Sequence, residues 1–329
     1  MAEKFLVIGS NSFSGASFVA HVLCTGAEVV GISRSPEPNE VFLPYAWAAH
    51  ERFVFHQLDL NRDLDRIEAV AREFRPDYVV NFAAQGMVAQ SWLNPEHWFA
   101  TNTLSMVKLH DRLRKLDGLK KFVHASTPEV YGATAGVVRE DAPFNPSTPY
   151  AVSKAACDMN LTAFHKTYGF PVALTRAANV CGPGQQLYRI IPKTVLCILT
   201  GKKLRLEGGG LSVRSFIHIR DVVEATLRIA RHGESGQAYH LATERSGTIR
   251  ELVEEICRQM DAKFDRCVEV APARLAQDAA YLLDCTKART QLNWTATHTL
   301  ADAVAETIAW VKRNLPLLQT MPAEYIHKE

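Results

Sequence analysis

The sequence predicts an α/β protein: a doubly wound parallel sheet followed by a smaller α/β carboxyl-terminal lobe. Three observations predict it. Strand-like and helix-like patterns alternate through roughly the first 180 residues, the rhythm of a parallel sheet with helices on both faces. The chain opens on an apolar run, Lys4-Phe-Leu-Val-Ile8, then a small-residue turn, Gly9-Ser-Asn-Ser-Phe-Ser-Gly15, then a helix-periodic segment. After Gly182-Pro-Gly184 the segments shorten and the rhythm changes.

Each element follows from its residues. Lys4–Ile8 reads as a buried strand. Gly9 permits the tight turn and Gly15 lets the next helix pack close to the strand. Phe18, Val19, Val22 and Leu23 recur at helical spacing, and that helix's amino terminus offers N–H groups and a positive dipole end to a pyrophosphate. The middle glycine of the usual pattern is Ser12 here, small enough to leave the backbone approachable. Strand, glycine turn and helix form the first unit of a Rossmann-type fold. Further strands are expected at Glu28–Ile32, Arg52–His56, Asp77–Phe82, Lys121–Ala125 and Pro171–Thr175, with helices at Asp63–Phe74, Pro95–Leu116 and Pro149–Tyr168. Beyond them, Ile190–Thr200 reads as helix, Gly208-Gly-Gly210 as a turn and Arg214–Ile219 as strand. The expected division is a dinucleotide-binding domain over 1–180, to which 215–246 and 299–315 return, a discontinuous lobe over 181–298, and a tail over 316–329. Ligands of such sheets bind beyond the carboxyl ends of the strands, so a site between the lobes is expected.

Composition narrows the class. The chain is 47% hydrophobic and 22% charged, ordinary for a globular protein. A net charge of +2 argues for neither nucleic acid nor a membrane surface as partner. No apolar run approaches the roughly 18 residues of a membrane span, and no signal-peptide pattern is present. The seven cysteines are odd in number and show no Cys-x-x-Cys, so neither a disulfide framework nor a metal site is expected, and a cytoplasmic location is.

The chemistry is read first from Tyr150-Ala-Val-Ser-Lys154. A Tyr and a Lys four residues apart share one helix face. An ammonium near a phenol favours the phenolate, which makes Tyr150 a candidate acid/base for oxidising an alcohol.

Taken together, the motifs resemble the extended short-chain dehydrogenase/reductase family, in its nucleotide-sugar 4,6-dehydratase branch. The resemblance runs through Gly9-x-x-Ser12-x-x-Gly15, Asn81-Phe-Ala-Ala-Gln85, Ser126-Thr-Pro-Glu-Val-Tyr-Gly132 and Tyr150-x-x-x-Lys154. It continues in Ala178-Asn-Val-Cys-Gly-Pro183, Arg214-Ser-Phe-Ile217 and Leu292-Asn-Trp294. It implies Thr127, Glu129, Tyr150 and Lys154 as catalytic residues. Thr127 would assist Tyr150 at the C4 hydroxyl, Glu129 would remove the C5 proton, and Lys154 would hold the nicotinamide ribose. In the dTDP-glucose enzymes an Asp between Thr and Glu protonates the departing C6 hydroxyl. Here that position is Pro128, which can neither donate nor accept a side-chain proton; enzymes of the GDP-mannose type hold Ser there, with Glu serving as both base and acid.

The resemblance further implies a tightly bound, recycled dinucleotide held by Gly9, Asn11, Ser12, Phe13, Gly15, Ser33, Arg34, Asp59, Leu60, Ala83, Ala84, Gln85, Asn102, Tyr150, Lys154, Ala177 and Asn179. The second strand ends at Ser33-Arg34 where a carboxylate would bind the ribose of NAD. An arginine suits a 2′-phosphate, which favours NADP; the alternative is that Arg34 stacks on the adenine of NAD. A nucleotide-diphosphate sugar would meet Gln85, Ser91, Thr127, Pro128, Glu129, Asn179, Arg189, Arg214, Arg274 and Asp278. Cys181 stands where the family usually has Tyr. The family's homodimer, a four-helix bundle, would use Pro95–Leu116 and Pro149–Tyr168, with Trp98, Leu104 and Phe164 as contacts. Another C4-oxidising enzyme (an epimerase, decarboxylase or 4-dehydrogenase) and a non-catalytic NADP-binding sensor are the competing readings.

Overall fold

The structure is a computed structural model that describes residues 2–48, 50–134, 136–272 and 282–328. Its first half lays down strands β1 (Lys4–Ile8), β2 (Glu28–Ser33), β3 (Phe53–Gln57), β4 (Tyr78–Asn81) and β5 (Lys121–Ala125). Between them run helices α1 (Phe13–Cys24), α2 (Leu64–Phe74), α3 (Pro95–Phe99) and α4 (Met106–Leu113). Then follow β6 (Val137–Val138), α5 (Pro149–Tyr168), β7 (Val172–Ala177), β8 (Asn179–Cys181), α6 (Ile190–Leu199), β9 (Leu204–Glu207), β10 (Val213–His218) and α7 (Ile219–His232). The rest comprises β11 (Ala238–Leu241), β12 (Ser246–Thr248), α8 (Ile249–Gln259), α9 (Phe264–Cys267), β13 (Val268–Ala271), β14 (Leu282–Leu283), α10 (Thr286–Leu292), α11 (Leu300–Arg313) and α12 (Leu315–Leu318).

Seven strands form one parallel sheet in the order β11-β7-β5-β4-β1-β2-β3. The order reverses direction at β1, so the crevice at the carboxyl ends of β1 and β4 is the expected binding place. Alternate residues of β1 face opposite sides. Phe5 and Val7 pack with Phe18 and Val22 of α1 and Ile229 of α7. Leu6 and Ile8 pack with Leu109 of α4, Leu161 of α5 and Phe170. Both faces are thus covered, as a parallel sheet requires.

Local signals set the helix ends. Ser12 caps α1 by accepting from Gly15 N–H. Thr148 caps α5, with Pro149 at its first position and a left-handed Gly169 ending it. The helix expected over Pro95–Leu116 is instead three pieces: α3, a π-helical stretch Ala100–Ser105, and α4. π-bulges tend to occur at functional sites. This one carries Asn102, whose side chain ties down the loop after β4.

A smaller sheet, β12-β10-β8, and the pair β13-β9 accompany α6, α8 and α11. The core there joins Ile191 and Val195 of α6, Leu252 and Ile256 of α8, and Val304, Ile308 and Trp310 of α11. Segment 299–315, expected to return to the dinucleotide-binding domain, forms α11, whose apolar stripe packs on α6 and α8 while Trp310 also meets Val41 and Phe42 in the loop after β2. Residues 238–241 do pair into the large sheet as β11.

Candidate functional site

The turn after β1 is built from its own side chains. Gly9 has φ +84°, and a Cβ there would lie 2.5 Å from Ala83 N; one on Gly15 would lie 2.1 Å from Gly9 O. Only glycine fits either place. Ser12 Oγ donates to Gly9 O at 2.7 Å and accepts from Gly15 N–H at 3.0 Å. The serine that departs from the glycine pattern thus knits the turn and caps α1. Asn11 N–H donates to Ser33 Oγ at 3.0 Å, joining the first turn to the end of β2.

Around this turn opens a cleft of about 660 Å³. Gly9, Asn11, Ser12, Ser33, Arg34, Asp59, Leu60, Ala83, Ala84 and Gln85, all expected at the dinucleotide, line it together. Its size lies within the range of small-molecule and cofactor sites, and the side-chain-free approach over Gly9 is what a pyrophosphate on a helix amino terminus needs. The cleft fits a dinucleotide. Asn102 stands behind it: its Oδ1 accepts from Gln85 N–H at 2.8 Å, and its Nδ2 donates to Gln85 O and Ser153 Oγ, each at 3.0 Å. Phe13 and Gly15 act from beneath, Phe13 in the core and Gly15 by close packing. Ala177 and Asn179 sit at the β7–β8 junction, outside the residues lining the cleft.

The carboxyl-terminal tail lies along the same cleft, a feature the sequence reading missed. Lys328 O accepts from Gln85 Nε2 at 2.6 Å and from Arg34 at 3.1 Å, and Lys328 Nζ donates to Ser35 Oγ at 3.2 Å. His327 stacks on Trp98 and His97, with ring centroids 5.1 Å apart in each pair. Trp98, expected at a subunit contact, is fully buried, and Phe164 packs against the sheet's own core.

At the carboxyl end of β5 the chain turns through a 3₁₀ helix, Pro128–Tyr131, capped by Thr127, whose Oγ1 accepts from Glu129 N–H. Thr127 and Pro128 are buried and Glu129 is half-buried. This turn packs on α5, where Val130 and Tyr131 meet Ala155, one residue past Lys154. Tyr150 lies in the first turn of α5. Lys154 is buried, and its Nζ reaches inward to β5, 2.8 Å from both His124 Nε2 and Ala125 O. Burial pushes its pKa below the usual lysine value. His124 went unnoticed in the sequence because only tertiary packing puts it beside Lys154.

A second buried network braces the same loop. Asp158 Oδ2 accepts from Ser126 Oγ at 2.6 Å and from Arg176 Nη2 at 3.0 Å. Arg176 Nη1 reaches Tyr131 Oη at 2.5 Å, and Tyr131 Oη meets His240 Nε2 at 2.7 Å. Burial raises the Tyr131 pKa to about 12 and lowers that of His240 to about 3.

The residues expected at the substrate are less gathered. Ser91 is fully buried, and its hydroxyl donates to Val88 O at 2.6 Å, bracing the local turn. Arg189 is exposed and lies over the Tyr188 ring, 5.4 Å from its centroid, beside the cleft that Tyr188 lines. Arg214 lines a separate cavity of about 900 Å³ between β10, β12 and the loop before α11. Arg274 and Asp278 lie outside the described residues. Cys181 is buried with its thiol pushed up to about 12, a packing residue with no nucleophilic character. No helix among the described residues is long and apolar enough to cross a membrane.

A parallel sheet with a glycine turn under a dinucleotide-sized cleft, and a Thr/Glu turn packed on a Tyr-x-x-x-Lys helix, define an extended short-chain dehydrogenase/reductase. Comparison with known proteins carries this further. Residues 6–307 match the family model described as GDP-mannose 4,6 dehydratase, and the chain belongs to that family. A dTDP-glucose 4,6-dehydratase of Streptomyces niveus is 31% identical, over 94% of this chain and 93% of that one. Among solved structures, a dTDP-glucose 4,6-dehydratase of Streptomyces venezuelae with NAD bound superposes with TM-score 0.89 at 29% identity, covering 96% of this chain and 99% of that one. A UDP-glucose 4-epimerase of Thermotoga maritima gives TM-score 0.85 at 27% identity, covering 95% and 99%.

Proposed function

We propose that the protein is a nucleotide-sugar 4,6-dehydratase that makes an NDP-4-keto-6-deoxy sugar. The observation that carries the reading is the Thr127–Glu129 turn seated at the end of β5 against the helix that bears Tyr150 and Lys154. A dinucleotide held in the cleft would supply hydride transfer, accepting at C4 and donating at C6, and so would be recycled within each turnover. Thr127 orients the C4 hydroxyl while Tyr150, as phenolate, takes its proton. The C4 ketone so formed acidifies the C5 proton, which Glu129 removes. With proline at 128, Glu129 also hands that proton to the departing C6 oxygen, which leaves as water; recharged with a solvent proton, it then delivers that proton to C5, and Tyr150 releases the C4 hydroxyl proton to solvent.

Arg34 and Ser33, with no carboxylate at the end of β2, favour NADP, because a guanidinium pairs with a 2′-phosphate; the relatives solved with NAD leave NAD as the other candidate. In this reading Gln85, Pro128 and Asn179 border the sugar and the guanidinium groups of Arg189 and Arg214 pair with the nucleotide diphosphate; Arg274 and Asp278 are assigned to the nucleotide by the family resemblance alone. Phe99, Leu104, Val152 and Met159 are exposed apolar residues on the α3–α4 and α5 helices, which fits a homodimer through a four-helix bundle. Seven free cysteines fit a reducing cytoplasm. A C4-epimerase or decarboxylase is the second reading, favoured by Pro128, which removes the dedicated acid.

The test is mass spectrometry of products from GDP-, UDP-, dTDP- and CDP-sugars with NADP or NAD in heavy water. A product lighter by one water and carrying solvent deuterium is expected, with turnover lost and nucleotide binding kept in Tyr150→Phe. An unchanged mass or loss of carbon dioxide would transfer the assignment to the second reading.

A further inference from the structure

His124 lies at the centre of a buried polar chain whose hydrogen-bond arithmetic admits one arrangement. Asn81 Oδ1 accepts from Ala83 N–H at 3.1 Å, which fixes the amide so that its Nδ2 faces His124 Nδ1 at 3.0 Å. An amide nitrogen only donates, so His124 Nδ1 is the acceptor and the ring proton sits on Nε2. That N–H points at Lys154 Nζ, 2.8 Å away. An ammonium has three donors and no lone pair, and would set two donors against each other here. A neutral amine accepts from His124 Nε2–H and donates to Ala125 O at 2.8 Å, so no two donors oppose each other; Cys157 Sγ, 3.6 Å from the same Nε2, is the longer and weaker of that nitrogen's two neighbours. Turning the Asn81 amide over to free the other tautomer would press its NH₂ against Ala83 N–H.

The surroundings agree. Asn81, His124 and Cys157 are fully buried and Lys154 nearly so. The other titratable groups facing this chain are His110 from α4, and Cys157 and Asp158 from α5. Burial holds His110 neutral, with its pKa lowered to about 3, and Cys157 as a thiol, raised to about 12. Asp158, the one carboxylate, is already paired with Arg176. His110, His124 and Cys157 bring ligand-type atoms within 4.8 Å, yet both nitrogens of His124 are engaged by Asn81 and Lys154, so no shared centre offers itself to a metal.

We infer that His124 is a positioning residue that parks Lys154 as a neutral amine against β5, and that engaging the dinucleotide requires Lys154 to take up a proton and leave His124. The step balances simply: a solvent proton adds to the Lys154 amine, and His124 keeps its Nε2–H. The inference about binding rests on the function proposed above; the state of Lys154 in the free protein does not.

Two measurements test it. The first is NMR of the free protein labelled with ¹³C,¹⁵N-lysine, Lys154 being assigned by its loss in Lys154→Arg. An amine-type signal at pH 7 is expected. In His124→Gln the Oε1 atom can accept from an ammonium, and in Asn81→Asp the carboxylate takes His124 Nδ1–H and turns Nε2 into an acceptor. Both variants should show an ammonium-type signal; circular dichroism establishes that they are folded. An ammonium signal in the wild type overturns the inference, and so does an amine signal in both folded variants. The second is calorimetry of NADP and NAD binding in buffers of different ionisation enthalpy at pH 7. Net proton uptake is expected in the wild type and its loss in both variants; binding without uptake overturns the coupling. Absence of any dinucleotide binding would refute the proposed function and leave the NMR result to decide the state of Lys154.

Discussion

Replacing Arg176 by methionine tests the bracing of the turn Thr127–Tyr131. Arg176 and Asp158 are almost fully buried, with side chains 5% and 1% exposed. Among the described residues Asp158 Oδ2 has only Ser126 Oγ and the guanidinium as partners, and Oδ1 makes no hydrogen bond. Arg176→Met therefore strands a buried carboxylate on a single hydroxyl, and also deprives Tyr131 Oη of its guanidinium partner. Breaking a buried pair in this way costs about 3–5 kcal/mol. With an unfolding entropy of about 2.1 cal/mol/K per residue, a chain of this length gives roughly 0.7 kcal/mol/K, so Tm should fall by roughly 4–7 °C. The double variant Arg176→Met with Asp158→Asn removes the orphaned charge and lets the amide oxygen accept from Ser126, so it should recover most of the loss. The assay is chemical denaturation followed by circular dichroism, with midpoints compared at equal m-value. A single variant within about 1 kcal/mol of wild type, or a double variant no better than the single, would refute the reasoning.

Three further outcomes are expected. Between pH 6 and 4 the native state keeps His110 neutral, with a pKa near 3 against 6.5 unfolded. The unfolded chain binds the extra proton there, so stability present above pH 6.5 is lost as pH falls, by about 1.4 kcal/mol per pH unit. His110→Phe, set among Phe122, Phe164 and Phe170, should flatten that slope by the same amount in urea titrations. Arg34→Ala should weaken NADP binding about tenfold and leave NAD nearly unchanged; equal losses for both would remove Arg34 from the 2′-phosphate. Truncation after Thr320 releases Arg34, Gln85 and Ser35 from Lys328 and should tighten dinucleotide binding in calorimetry, whereas weaker binding would make the tail part of the site.

Much of the sheet was legible because its signals are local. An apolar run bounded by small residues becomes a strand wherever both faces are covered, and Lys121–Ala125 and Pro149–Tyr168 fall where their residues place them. The glycine turn was legible because its requirement is steric and carried by Gly9 and Gly15 alone. The setting of Ser91 was not legible, because a loop hydroxyl looks the same in a sequence whether or not it donates, as here, to the carbonyl three residues back. The packing partners of α11 were not legible because its amphipathic stripe states that it packs but not on which surface.

The sequence by itself determined much of the order of strands and helices and the small-residue turn after β1, since these depend on periodicity and backbone freedom, while Thr127, Glu129, Tyr150 and Lys154 were singled out as a set by family resemblance. Only the tertiary structure decided which buried donor faces which acceptor. His124 stands 30 residues from Lys154 and 43 from Asn81, and β4, β5 and α5 must pack before one imidazole can face both. Pairings of that range leave no periodic trace in a chain, because they are enforced by the desolvation of groups that the folded core brings together.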